Sequence, residues 1–153
     1  MSEINIREMQ LEDKAILQDL FDVMGEESAL FFNVNHGNEK RMMGYFDSTV
    51  KGLKFFLAVE NNRCVGVMFI RDIDISVPWF GIAVRDGMHG RGIGTLLIQY
   101  ITDYLKNREY GGLLLTTAQT NFQAQRLYEK CGFERCGVHP SGEYLYILRF
   151  RRA

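Results

Sequence analysis

Apolar positions along the chain switch between two periods. Ile4-Asn5-Ile6-Arg7 alternates apolar and polar, the two-residue repeat of a half-buried strand. From Leu11 to Met24 the repeat becomes helical: Ile16, Leu17, Leu20, Phe21 and Met24 share one face, and Gly25 suits a C-cap. Glu26 to Gly37 is less regular, with an apolar patch at Leu30-Phe31-Phe32. Glu39 to Val50 predicts a second helix with Met42, Met43, Phe46 and Val50 turned inward. Lys54 to Glu60 and Arg63 to about Ile75 are rich in Phe, Val and Ile around Asn61-Asn62, which predicts a hairpin. A third strand, Trp79 to Val84, follows Pro78, and an amphipathic helix runs from Ile93 to about Leu105. Leu113 to Thr117 reads as a buried strand, Asn121 to Lys130 as a helix stopped by Gly132, and Phe133–Gly137 and Glu143–Phe150 as closing strands. A helix joining Trp79–Val84 to Leu113–Thr117 makes those strands a parallel βαβ pair. The expected order is β-α-α-β-β-β-α-β-α-β-β, an α/β (α+β) mixed sheet with helices on its faces.

Between the third strand and its helix lies Val84-Arg85-Asp86-Gly87-Met88-His89-Gly90-Arg91-Gly92-Ile93-Gly94-Thr95. The first N–H groups of a helix have no internal partners, and the helix dipole adds partial positive charge there. Glycines before such an end let a phosphate approach the backbone and make positive φ accessible. The turn therefore predicts a pyrophosphate site, although a plain tight strand-to-helix turn has the same composition. A P-loop is excluded because Ile93 stands where its lysine belongs, and a dinucleotide fingerprint because Thr95 stands where its third glycine belongs.

Composition narrows the class. The 153 residues suit one domain, 1–153, and 46% hydrophobic with 24% charged residues is ordinary for a globular protein. A formal net charge of −1 predicts no general attraction to nucleic acid or to an anionic membrane, and disfavours a strongly charged macromolecular substrate. Cys64, Cys131 and Cys136 have no paired metal spacing and read as reduced thiols, so a cytoplasmic location is expected. The first residues carry early acids without a signal-peptide core, and no apolar run approaches the ~20 residues of a membrane span. His36 and His139 lack ligand companions, so no metal is expected.

Two motifs resemble those of the GNAT N-acetyltransferase superfamily. His89-Gly90-Arg91-Gly92-Ile93-Gly94 resembles its acetyl-CoA loop, Gln/Arg-x-x-Gly-x-Gly/Ala, with His89 where glutamine or arginine is usual. Asn121-Phe122-Gln123-Ala124-Gln125-Arg126-Leu127-Tyr128-Glu129-Lys130-Cys131-Gly132-Phe133 resembles the second signature, Asn-x-x-Ala-x-x-Leu/Phe-Tyr-x-Lys/Arg-x-Gly-Phe. Asn121, Ala124 and Tyr128 share one helical face; alone, the segment is equally an amphipathic helix with Leu127 and Tyr128 in the core. Two such motifs, in order and each after its own strand, span roughly residues 79 to 137 and carry the resemblance.

The resemblance implies a GNAT-like fold whose two parallel central strands splay, and transfer of an acetyl group from acetyl-CoA to a primary amine of a small molecule or peptide. By it, Ile82, Ala83 and Val84 offer backbone to the pantetheine arm, and a backbone N–H near Ile82 or Val84 faces the oxyanion. His89, Gly90, Arg91, Gly92, Ile93, Gly94 and Thr95 surround the pyrophosphate, and Asn121 and Ala124 touch the lower cofactor arm. Tyr128 matches the general-acid tyrosine. Arg126 and Lys130 either meet the ribose phosphate or are solvated helix charges. Some relatives carry a glutamate on the strand before the loop; Trp79–Val84 has no acid, which leaves a water chain or one of Glu26, Glu27, Asp72, Asp74, His139 and Glu143 as the candidate base. The region before the central sheet often walls the acceptor, and Phe31, Phe32, Trp79, Phe80, Tyr144 and Tyr146 are candidates to line it. Antibiotic, polyamine, amino-acid and peptide acceptors stay open. Homodimers occur in the family, and the alternative function is a non-catalytic acyl-CoA-binding module. Direct transfer is expected, so no cysteine is a nucleophile.

Overall fold

The structure, a computed structural model, describes residues 3–33, 37–48 and 50–150. Strand β1 (Asn5–Glu8) is followed by a 3-10 turn (Leu11–Asp13) and helices α1 (Lys14–Asp22), α2 (Glu26–Asn33) and α3 (Asn38–Met43). A second 3-10 turn (Gly44–Asp47) leads to β2 (Leu53–Glu60), β3 (Arg63–Arg71) and β4 (Trp79–Val84). Then come α4 (Ile93–Lys106), β5 (Gly112–Thr117), α5 (Phe122–Lys130), β6 (Glu134–Val138) and β7 (Tyr144–Arg149). The seven strands form one sheet in the order β1-β2-β3-β4-β5-β7-β6, with β4 and β5 parallel and every other neighbouring pair antiparallel.

Both faces of the sheet are covered, which is why β2 and β3 read as continuous apolar runs. On one face Phe56, Met68, Ile70, Leu113, Leu115 and Tyr146 meet Ile93, Leu97, Ile101 and Leu105 of α4. On the other, Phe55, Leu57, Val67 and Phe69 meet Leu17, Leu20 and Phe21 of α1, Phe32 of α2 and Met42 of α3. Each such side chain stabilises the fold by about 1.5–3 kcal/mol on burial.

The N-terminal third departs from expectation in three places. Glu26–Gly37, expected to be irregular, contains α2; its helical pattern is weak because it buries Phe32 and leaves Leu30 exposed. The helix expected over Glu39–Val50 is α3 followed by the 3-10 turn from buried Gly44, which stops at Ser48 in the left-handed region (φ 56°). Gly25 is not the C-cap of α1, which is Val23; the Gly25 N–H instead donates to Asp86 Oδ2 at 2.6 Å. Ser28 Oγ donates to the other Asp86 oxygen at 2.7 Å, so α2 is tied to the glycine-rich turn. Burial of β3 also ends early, at Arg71, because Asp72 turns the chain at φ 59°.

The parallel pair is joined at one end only. Trp79 pairs with Leu114, and the Leu114 N–H donates to the Pro78 carbonyl at 2.9 Å. Past that point β4 keeps its β3 partners through Val84 and β5 keeps its β7 partners through Thr117, but the two strands part. Two strand edges thus face each other across a wedge in mid-sheet, each with backbone groups that need partners.

Candidate functional site

The wedge opens into a cavity of about 780 Å³ that joins the two faces of the sheet. Its wall includes Ile82, Ala83 and Val84 of β4, and the turn residues Met88, His89, Gly90, Gly92, Ile93, Gly94 and Thr95. From α5 come Asn121, Ala124, Leu127 and Tyr128, with Arg126 and Lys130 at its rim. The far chamber is closed by Phe31 and Phe32 of α2, Asn38 and Arg41 of α3, and Phe69, Arg71 and Trp79 of the sheet.

The glycine-rich turn is shaped for backbone approach. Gly87, Gly90 and Gly92 hold φ of 83°, 84° and 80°, and a Cβ on any of them would point into open space. Gly92 is the N-cap of α4 with no side-chain cap. The Leu96 N–H donates to the Gly92 carbonyl at 3.0 Å, so the N–H groups of Ile93, Gly94 and Thr95 precede the first helical bond. Gly94 answers a different need: a Cβ there would lie 2.7 Å from Leu127 Cδ2, so its absence lets α4 pack against α5. Arg91 does not line the cavity. Its guanidinium forms a fork on Glu60, at 3.1 and 2.9 Å, and fastens the turn to the end of β2.

Asn121 caps α5, its Oδ1 accepting from the Ala124 N–H at 3.3 Å. One turn further, Tyr128 is buried among Phe133 and Tyr146 and lines the cavity. Among the described residues its hydroxyl has no hydrogen-bond partner, and no sealed side-chain oxygen lacks one, so the hydroxyl meets the cavity space. Burial, then the charge of Glu143, pushes the phenol above its ordinary value, so it is protonated at neutral pH.

Of the six candidate bases, Glu27 and Glu143 line the cavity. Glu27 is exposed on α2, whereas Glu143 is buried beside Tyr128 and accepts from Thr116 Oγ1 and Ser141 Oγ, both at 3.2 Å. Glu26, Asp72, Asp74 and His139 lie off the wall; the His139 ring packs edge-on to Trp79, 5.9 Å between centroids. Phe31, Phe32, Trp79 and Phe80 line the cavity, but Tyr144 and Tyr146 do not. Tyr146 instead donates to Glu129 at 2.6 Å. The cysteines are free: burial pushes the Cys64 thiol up to about 12, which makes it inert. His36 lies outside the described residues. Among those described, no three His, Cys, Asp or Glu side chains converge on a metal position and no helix is long and apolar enough to cross a membrane.

Arg41, Arg71, Asn38, Phe69 and the pair Thr116–Thr117 are wall residues that the sequence reading missed. A signal existed for the sheet members, since Phe69 and Arg71 share a strand face by the two-residue repeat.

A parallel pair split in mid-sheet, with a glycine-capped helix N-terminus at the mouth, is the architecture of a GNAT-like fold. The acetyltransferase (GNAT) family model matches residues 15–133, and the chain belongs to that family. The GNAT domain of S. lividans PAT superposes with a TM-score of 0.82 at 10% identity, covering 96% of this chain and 90% of that one. Aminoglycoside acetyltransferase AAC(6')-Ib in complex with coenzyme A superposes at 0.75 with 18% identity, covering 96% and 95%. A kanamycin resistance protein from Rhizobium radiobacter is 36% identical over 67 residues, 42% of this chain and 62% of that protein. The match spans less than two thirds of that relative, and only 33% of an aminoglycoside N(6')-acetyltransferase from Klebsiella pneumoniae.

Proposed function

We propose that the protein transfers an acetyl group from acetyl-CoA directly to a primary amine of a small molecule or peptide. The observation that carries the reading is the wedge itself: an unpartnered β4 edge leads from a glycine-capped helix N-terminus to a buried tyrosine hydroxyl. Coenzyme A in complexes of two structural neighbours supports it.

The chain's residues divide the work. Backbone N–H groups at the start of α4 receive the pyrophosphate, with Gly90 and Gly92 leaving space for it. The released edge of β4 at Ile82, Ala83 and Val84 accepts an extended pantetheine arm as an added strand. The amine nitrogen attacks the thioester carbonyl, the C–N bond forms and the C–S bond breaks. A β4 backbone N–H steadies the oxyanion. Tyr128 donates its phenol proton to the departing thiolate, and Glu143 takes the proton the amine loses. Burial disfavours a free tyrosinate, so Tyr128 shares its proton as charge develops on sulfur rather than ionising beforehand.

Thermal unfolding beside acetyl-CoA, CoA, ATP and NAD tests the cofactor. A ligand at 100 times its Kd adds about 2.7 kcal/mol of stability. The expected result is a raised midpoint with the two CoA species alone, followed by thiol release when an amine is added. No shift with any CoA species, and no direct binding, overturns the reading.

A further inference from the structure

The far chamber carries two arginines that, among the described residues, no ion pair closes. Arg41 and Arg71 both line it and both are half-buried. Arg41 Cζ lies 5.7 Å from the centre of the Phe69 ring, and Arg71 Cζ lies 5.2 Å from that of Trp79. Among the described residues neither forms an ion pair, whereas Arg7, Arg85 and Arg91 are each closed by a carboxylate. Burial, then the like charge of Arg71, holds Arg41 below its ordinary pKa, and the carboxylate of Asp72 offsets this only in part.

The two guanidinium groups are held in place by dedicated contacts. Asn38 Nδ2 donates to the Phe32 carbonyl at 2.6 Å, and Asn38 Oδ1 accepts from Arg41 Nη1 at 2.8 Å, which ties Arg41 to the end of α2. The Phe69 ring fills the space over Gly81, where a Cβ would come within 2.3 Å of it, so the floor beneath Arg41 depends on a glycine in β4. Arg71 and Trp79 are cross-strand partners on the same face. At the other end of the chamber, buried Glu143 stands beside Tyr128. The chamber thus offers a negative end where the chemistry occurs and a positive end beyond it.

Resting on the amine acyltransferase reading, we propose that the acceptor is an amine bearing an oxyanion, a carboxylate or a phosphate, which Arg41 and Arg71 clamp while the amine meets Glu143 and Tyr128. A polycationic acceptor meets like charge at this wall. Planar guanidinium forks match both oxyanions, and a charge-assisted contact of this kind is worth roughly 10–100-fold in affinity.

The test is a panel of primary amines assayed by acetylated product and thiol release with the full chain. The arms are amino acids and dipeptides, their C-terminal carboxamides, O-phosphorylated amino alcohols, and the polycations kanamycin and spermidine. Amidation is expected to raise KM by about 10–100-fold. Arg41→Gln and Arg71→Gln reproduce that loss on the acids while leaving the carboxamides and acetyl-CoA binding unchanged. Preference within the acids assigns carboxylate or phosphate. Carboxamides or polycations turned over as well as the acids overturn the inference, as does an arginine substitution that affects both sets alike. Acetyl-CoA binding with no oxyanion-bearing amine acetylated overturns it too. Absence of acetyl-CoA binding removes the acyltransferase reading itself, so the two failures are distinct.

Discussion

The roles proposed for Tyr128 and Glu143 come from their surroundings. The phenol is kept protonated by burial and by a neighbouring carboxylate, and its hydroxyl is left facing the cavity. Tyr128→Phe removes the proposed proton donor without removing the ring that packs on Phe133 and Tyr146. Acetyl-CoA affinity by calorimetry is expected to hold while turnover falls by ~10²–10⁴. Unchanged turnover would make the tyrosine a packing residue only. Glu143→Gln keeps acceptors for Thr116 and Ser141 but lacks a basic oxygen. The expected result is a turnover loss of about 10²-fold or more near neutral pH, partly recovered at high pH where the amine is already deprotonated. The Asn121–Phe133 signature announces Tyr128 because its elements are adjacent in sequence. Glu143 has no such mark: in the sequence it is one of six candidate bases, and only the pairing of β7 with β5 sets it beside Thr116.

At the scale of elements, the junction of β4 and α4 carries the site. Gly92 caps α4 in the left-handed region, where an L side chain costs roughly 1–2 kcal/mol. Gly92→Ala is expected to lower the unfolding free energy by that amount, read as a lower urea midpoint, and to weaken acetyl-CoA binding, since relaxing the cap turns the first N–H groups of α4 away. A loss of stability with unaltered binding would separate the cap from the ligand. This junction was legible in the glycine spacing, because a strand-to-helix turn is local. Arg91 within it was not: its partner Glu60 lies 31 residues away, and nothing nearby in sequence names that partner.

For the whole molecule, stability depends on carboxylates that join separate segments. Asp13, buried, accepts from Arg7 at 2.6 and 2.8 Å and from the Gln10 N–H at 2.7 Å, so its carboxyl lies below the ordinary carboxylate range. Asp86, bonded to Ser28 and Gly25, is lowered likewise. A carboxyl depressed by folding contributes its full stabilisation above the unfolded-state pKa and loses it as pH falls through the folded value. Stability to urea is therefore expected to hold from pH 7 to about 5 and then to decline through pH 4 and below. Asp13→Asn costs about 1–3 kcal/mol at pH 7, discounted because Arg7 is partly exposed, and flattens the acid limb. An acid limb of undiminished slope in the variant would assign it to other groups.

The order of strands and helices from β2 onward, the parallel pair, the glycine-capped α4 and the Tyr128 helix were determined by the sequence alone. Periodicity, caps and turns are properties of neighbouring residues, and they survive without knowledge of the fold. Tertiary structure alone decided that Gly25 serves Asp86 rather than α1, that Arg91 turns to Glu60, and that Glu143 stands beside Tyr128. It also set Arg41 of α3 and Arg71 of β3 in one chamber, thirty positions apart in the chain. Each of these is a choice of partner across the fold, governed by which surfaces pack together and which charges burial leaves unsatisfied, and no local pattern encodes that choice.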